Sequence, residues 1–104
     1  MRFLDICRNP HHSPNGDTPY LLVIQGDYVA VKSTRVVVPL VKAESISQII
    51  SELTPQFVVE GQSVVMATPE LAGISVRDIG PTISNATDRH HEVRRAIDIL
   101  TGDF

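Results

Sequence analysis

Ser33-Thr34-Arg35 places two hydroxyls beside a guanidinium, and His11-His12 lies in the polar stretch Arg8 to Thr18 (RNPHHSPNGDT). An imidazole, a hydroxyl and an arginine are the parts of a phosphodiester-cleaving site. The first moves a proton, and the last stabilises charge growing on phosphate oxygens. His90-His91 forms a second adjacent pair. Adjacent side chains diverge on a strand or a helix, so neither pair is a ligand set by itself. Zinc needs three or four ligands and no acid is placed to complete the set, so the histidines read as exposed loop and first-turn residues. No metal and no cofactor is expected. Cys7 is the only cysteine, which excludes an intramolecular disulfide and a cysteine-based metal site. In its apolar segment it reads as a small buried hydrophobe. The chain has no P-loop, no dinucleotide-binding glycine pattern and no paired-carboxylate motif, and no residue is assigned a catalytic role.

The elements that must position these groups are mostly strands. Phe3 to Cys7 is short and apolar-rich, and Tyr20 to Gln25 (YLLVIQ) is an uninterrupted apolar run, the pattern of a strand buried on both faces. Gly26-Asp27 interrupts it, and Tyr28 to Val31 resumes an extended pattern. Arg35 to Leu40 (RVVVPL) is a β-branched strand in which Pro39, with no amide N–H to donate, is expected at an edge or a strand end. Ala43 to Leu53 carries Ile46, Ile49, Ile50 and Leu53 at helical spacing and reads as the one helix in the middle of the chain. Phe57 to Glu60 and Ser63 to Ala67 form a hairpin turning at Glu60-Gly61-Gln62. Thr68 to Leu71 is one helical turn, with Thr68 as cap and Pro69 first inside it. Ile74 to Ile79 is a further strand. From Asp88 to Leu100, Val93, Ala96, Ile97 and Leu100 make one apolar stripe on a helix. Thr87 is placed to cap its start, and Gly102 to end it in a left-handed conformation.

The sum is a mainly β, α+β fold closed by a C-terminal helix, with residues 1–104 as a single domain. A chain of this length buries roughly two thirds of its unfolded surface, enough for a core without staples. Its net charge of -3 argues against direct nucleic-acid binding, which relies on a basic surface to displace counterions. No long apolar segment suggests a signal peptide or a membrane span, so a cytoplasmic protein with no membrane partner is expected.

The order of motifs resembles the CcdB toxins of bacterial toxin–antitoxin pairs. Ile24-Gln25-Gly26-Asp27 is similar to the family's V-Q-S-D segment, and Arg35-Val36-Val37-Val38-Pro39-Leu40 to its R-x-V-I-P-L strand. Leu53-Thr54-Pro55 resembles its L-x-P turn. Met66-Ala67-Thr68-Pro69-Glu70-Leu71-Ala72 resembles its M-x-T-x-x-M-A stretch, with Ile79-Gly80 at a suitable distance. Ala96-Ile97-Asp98 resembles the A-I-N or A-I-D of its last helix. The shared order and spacing carry the resemblance along nearly the whole chain.

The resemblance implies an SH3-like barrel of the CcdB and MazF type, with a five-stranded antiparallel sheet, a smaller three-stranded sheet and a C-terminal helix, assembled as a homodimer. It also implies a toxin that is not an enzyme. Such a toxin binds the A subunit of DNA gyrase, traps gyrase on cleaved DNA as a topoisomerase poison, and is neutralised by a CcdA-like antitoxin. Carried over by position, the gyrase-binding residues are Tyr28, Val29, Asp98, Thr101, Gly102, Asp103 and Phe104. The first two lie in a loop after the V-Q-S-D-like segment and the rest at the end of the last helix, brought together across the dimer axis. Phe104 is expected to act as an aromatic anchor, the residue class enriched at binding hot spots. The chain departs from the best-known family terminus, aromatic-Trp-Gly-Ile, because it has no tryptophan. Its end resembles members that close in Thr-Gly and one apolar residue, with Asp103 added, and Ala30 stands where the family often has an acid. The alternatives are a MazF-like sequence-specific endoribonuclease using Arg35, and a non-toxic relic that only binds an antitoxin.

Overall fold

The computed structural model describes residues 1–102, whose framework is seven strands and one α-helix. The strands are β1 (Asp5–Arg8), β2 (Tyr20–Val23), β3 (Thr34–Lys42), β4 (Gln56–Val59), β5 (Gln62–Met66), β6 (Ala72–Ser75) and β7 (Thr82–Asn85), and the helix α1 is His90–Leu100. All pairings are antiparallel. Five strands run in the order β7-β1-β2-β3-β6, and β3 continues into a three-stranded arm, β3-β5-β4. The two arms share β3 and curl into a half-barrel, the expected five-plus-three arrangement with a C-terminal helix.

Alternation along the strands divides the apolar residues between two faces. Ile6, Tyr20, Leu22, Val38, Leu40, Phe57, Val59, Val64 and Met66 fill the concave side, where Val93 and Ala96 of α1 close the core. Cys7, Leu21, Val23 and Val37 point the other way and meet Ile79. Strand β2 therefore buries all four of its residues, as its unbroken apolar run implies. Burial pushes the Cys7 thiol above its ordinary pKa, leaving it a protonated, inert hydrophobe.

Pro39 lies in the interior of β3, opposite Leu21, not at a strand end. Its partner on the other side changes at that point: Thr34 to Val37 pair with β6 and Leu40 to Lys42 with β5. The Pro39 carbonyl accepts the amide of Ala67, from the connection between β5 and β6. The N–H that proline lacks thus falls in a local gap between two partners, so the strand continues without losing a ladder bond.

Other expectations shift for local reasons. The first strand begins at Asp5 because Arg2 to Asp5 forms a turn, closed by the Asp5 amide on the Arg2 carbonyl at 3.0 Å. Leu4 holds φ 65 in that turn, a conformation that costs a non-glycine residue roughly 1–2 kcal/mol. Its fully buried side chain and its backbone bonds to Val23 and Ala86 hold it there. Buried Asp5 accepts hydrogen bonds from the Arg2 amide, Thr82 Oγ1 and Asn85 Nδ2, tying β1 to β7.

The helix expected over Ala43 to Leu53 does not form. Only a 3₁₀ turn at Ala43–Ser45 appears, and Ile49 and Ile50 are exposed. Their stripe has no core to face, serine and β-branched residues are weak helix formers, and Thr54 bonds Ile50 N and O immediately before Pro55. Tyr28 to Val31 is an irregular loop, not a strand. The strand expected over Ile74 to Ile79 stops at Ser75 and turns into 3₁₀ helix at Val76–Asp78. Thr68 does not cap its turn. Its buried hydroxyl donates to Leu53 O at 2.6 Å and secures the preceding segment.

The β4–β5 hairpin turns at Glu60 (φ 52) and Gly61 (φ 77), the two positive φ values of a tight primed turn. Its tip reaches across the curl. Glu60 accepts both terminal nitrogens of Arg8, at 3.2 and 2.7 Å, and the Tyr20 hydroxyl at 2.7 Å, joining the β4–β5 arm to β1 and β2. The Tyr20 and Arg8 bonds hold the Glu60 carboxyl below its ordinary range. A carboxylate with a lowered folded pKa adds stability that is present above its unfolded pKa and is lost as pH falls through the folded value. The thermal midpoint should therefore drop on acidification below the ordinary glutamate range. Tyr20→Phe should flatten that part of the profile relative to wild type. An identical acid limb in calorimetric scans of both proteins would remove Glu60 as a closure point.

Candidate functional site

The loop between β2 and β3 presents the largest exposed apolar side chains of its neighbourhood. Tyr28 is 102% exposed, and Val29 and Val31 are each 51% exposed. An isolated exposed apolar residue needs no explanation, but three so close together form a patch that a partner can cover. At the base of the loop, Asp27 Oδ1 accepts the Phe3 amide at 2.8 Å. Phe3 in turn meets His90 edge-on, ring centroids 5.6 Å apart. The loop is thereby tied to the first turn of α1. A concavity of about 320 Å³ lies there between Arg2, Phe3, Asp27, Asn85 and Thr87.

The other half of the expected site lies at the far end of α1. Thr101 returns its hydroxyl to Ile97 O at 3.0 Å and Asp98 O at 3.3 Å. Gly102, at φ 84, ends the helix as expected and donates its amide to Ile99 O. Asp98 is half-buried, and Thr101 and Gly102 are exposed. Asp103 and Phe104, including the anchor role expected for Phe104, lie outside the described residues. About 15 Å of helix separates His90 from Leu100, and no hydrogen bond or ion pair among the described residues links the loop to the helix end. Within one chain, Tyr28 and Val29 are not brought together with Thr101 and Gly102.

The start of α1 is built differently from the expectation. Thr87 opens a 3₁₀ turn, Thr87–Arg89, that leads into the helix. Neither this turn nor α1 has a side-chain cap at its N-cap residue. Ahead of them, Asn85 Oδ1 takes the Thr87 amide at 2.8 Å and the Thr87 hydroxyl. Arg89 bonds Glu92, donates to Gln56 O at 2.8 Å and lies over the Phe57 ring, 4.4 Å from its centroid. The Arg89 guanidinium holds the Glu92 carboxyl below its ordinary range. A groove of about 440 Å³ runs between residues 51–56 and this face of the helix. Both guanidiniums lining it are paired, Arg89 with Glu92 and Arg95 with Glu52.

The residues suited to phosphodiester chemistry are drawn toward one side but not into one site. Thr34 lies opposite Ser75, and one 3₁₀ turn further on Asp78 Oδ1 meets His11 Nε2 at 2.8 Å. Arg35 points elsewhere: its Nη1 donates to Val31 O at 2.9 Å and Thr34 O at 2.8 Å. His12 is half-buried rather than exposed, with its Nδ1 buried and unpartnered. Among the described residues, no group of three or more His, Cys, Asp or Glu is arranged to hold a metal ion, and no helix is long and apolar enough to cross a membrane.

A curled antiparallel half-barrel, closed by a helix and displaying an apolar loop, defines a small α+β barrel protein. The family model described as CcdB protein matches residues 3–102, nearly the whole length. The chain belongs to the CcdB family, and membership supports its assignment as a toxin of the CcdA/CcdB system.

The exposed loop and the core helix make separable demands on stability. Tyr28→Ala should change unfolding free energy by less than about 0.5 kcal/mol, as for surface substitutions generally. Val93→Ala, in the closed core, should cost about 2 kcal/mol. Denaturant unfolding of both variants checks this, and a large loss from Tyr28→Ala would mean that its ring packs against the fold.

Proposed function

We propose that this protein is a binding toxin, not an enzyme, and that its target is the A subunit of DNA gyrase, which it traps on cleaved DNA. The observation that carries the reading is the β2–β3 loop: a family member displays Tyr28 and Val29 to solvent on a backbone tied down at its base. An aromatic residue with a polar tip gives a large contact area at low entropy cost and suits a partner surface. The contact set is completed by Asp98, Thr101, Gly102, Asp103 and Phe104. Because loop and helix end lie apart within one chain, a two-fold homodimer is the simplest way to offer both to one partner face. A CcdA-like antitoxin neutralises the toxin by folding a flexible segment over it, which lets a short chain cover a broad surface. The unit is a single domain that acts in the cytoplasm, where gyrase is.

A second reading, a MazF-like endoribonuclease, draws on the His11–Asp78 pair and on the β3–β6 register that brings Thr34 to the same side. It requires a guanidinium free to meet a phosphate, and that of Arg35 is turned onto two carbonyls. One paired assay separates the readings. Purified protein is incubated with gyrase, ATP and supercoiled DNA, and separately with single-stranded RNA. Stabilised DNA cleavage complexes with intact RNA are expected, weakened roughly tenfold or more by Tyr28→Ala and abolished by deleting residues 102–104. Metal-independent RNA cleavage lost in Arg35→Ala would overturn the gyrase reading, and silence in both assays would favour an antitoxin-binding relic.

A further inference from the structure

The β2–β3 loop has no regular structure, yet it is fastened along its whole length. At its base, Ile24 donates its amide to Val36 O at 3.0 Å, and Val36 returns its own amide to Gln25 Oε1 at 3.1 Å. Asp27 holds the Phe3 amide, and Val29 N closes a turn onto Gly26 O at 3.1 Å. On the returning limb, Ser33 O accepts the amide of Val76 at 3.0 Å, from the turn that follows β6. Arg35 supplies the remaining fastening, with Nη1 on the carbonyls of Val31 and Thr34. Between these points Tyr28, Val29 and Val31 stand in solvent. A slack loop carrying three apolar side chains would bury some of them by folding back, since removing apolar area from water is favourable. A backbone fixed on both limbs cannot do so.

We propose that Arg35 is the positioning residue of the partner-binding loop: it clamps the Val31 and Thr34 carbonyls, so that Tyr28, Val29 and Val31 form a preformed contact surface. The proposal rests on reading this loop as the gyrase-binding surface and adds Val31 to it. Two hydrogens on one planar nitrogen reach two carbonyls at once. A lysine ammonium carries three donors, but they rotate on a flexible stem and have no fixed plane. A loop already in its bound shape leaves less conformational entropy to lose on binding, which raises affinity without any new contact. Arg35 therefore acts through the loop and need not touch the partner.

The test uses Arg35→Gln, a neutral and shorter side chain whose amide stops well short of the position the guanidinium nitrogen holds between the two carbonyls, and Arg35→Lys as the conservative variant. Amide hydrogen exchange is followed at Val29 and Val76, whose bonds close the two limbs, with the thermal midpoint measured alongside. Binding to the isolated gyrase A subunit is resolved into association and dissociation rates. In Arg35→Gln, exchange at both amides should rise about tenfold while the core amides of β2 stay protected. Affinity should fall by about tenfold, mostly through slower association. Arg35→Lys should lie between the two. Unchanged exchange at Val29 and Val76 in Arg35→Gln overturns the proposal, as does a loosened loop that binds with wild-type kinetics. If Arg35→Gln fails to fold, Arg35→Lys decides by the same two readouts. If the wild-type protein does not bind the gyrase A subunit, the gyrase reading fails, and the exchange measurement still decides whether Arg35 holds the loop.

Discussion

Strand β3 is the constraint on which the rest of the structure depends. Over nine residues it pairs with β2 on one side and, on the other, first with β6 and then with β5. Both arms of the half-barrel are built on it. The register it imposes sends Val38 and Leu40 into the main core and Val37 into the smaller one. The change of partner falls at Pro39, the one residue of the strand that cannot donate a ladder bond. An amide-bearing residue there would leave an N–H with no sheet partner in a crowded place. Proline meets the geometry by having nothing to satisfy.

The same strand sets the functional geometry. At its start the returning limb of the β2–β3 loop is fixed, by the Val76 amide on the carbonyl of Ser33 just before the strand and by Arg35 on the carbonyls of Val31 and Thr34. Its last residues carry the hairpin whose tip, Glu60, reaches back to Arg8 and Tyr20. A single rigid element thus holds the curl at one end and presents an apolar loop at the other. Exposed apolar side chains gain nothing for the core, so their positions must be enforced by backbone bonds nearby.

Features with one local cause were legible in the sequence. Tyr20 to Val23 reads as doubly buried because every residue is apolar. The β4–β5 hairpin is visible in its glycine turn, within one residue of where it forms. Gly102 ends α1 at positive φ as its position implies. What failed were features decided by distant partners. The isoleucines at 46, 49 and 50 keep helical spacing, yet no core surface lies opposite them. Pro39 could not be placed without knowing that the ladder changes partner there. Thr87 does not cap α1, because it is already inside the 3₁₀ turn that leads into the helix. The expectation that Tyr28 and Val29 meet a partner comes from family resemblance and not from periodicity. The role of Arg35 was invisible, since its type suits phosphate chemistry as well as it suits a pair of carbonyls, and only geometry separates the two.

The most direct test of the binding-toxin reading is to map the surface that changes when the target is added. Backbone amide shifts of isotope-labelled protein would be followed during titration with the gyrase A subunit, and in a parallel sample with single-stranded RNA. The gyrase sample should perturb Asp27 to Lys32 and the end of α1 from Asp98 to Gly102, with the amides around His11 and Asp78 unmoved, and the RNA sample should show no change. Perturbation by RNA centred on His11, Thr34 and Asp78, with the Tyr28 loop unaffected by gyrase, would contradict it.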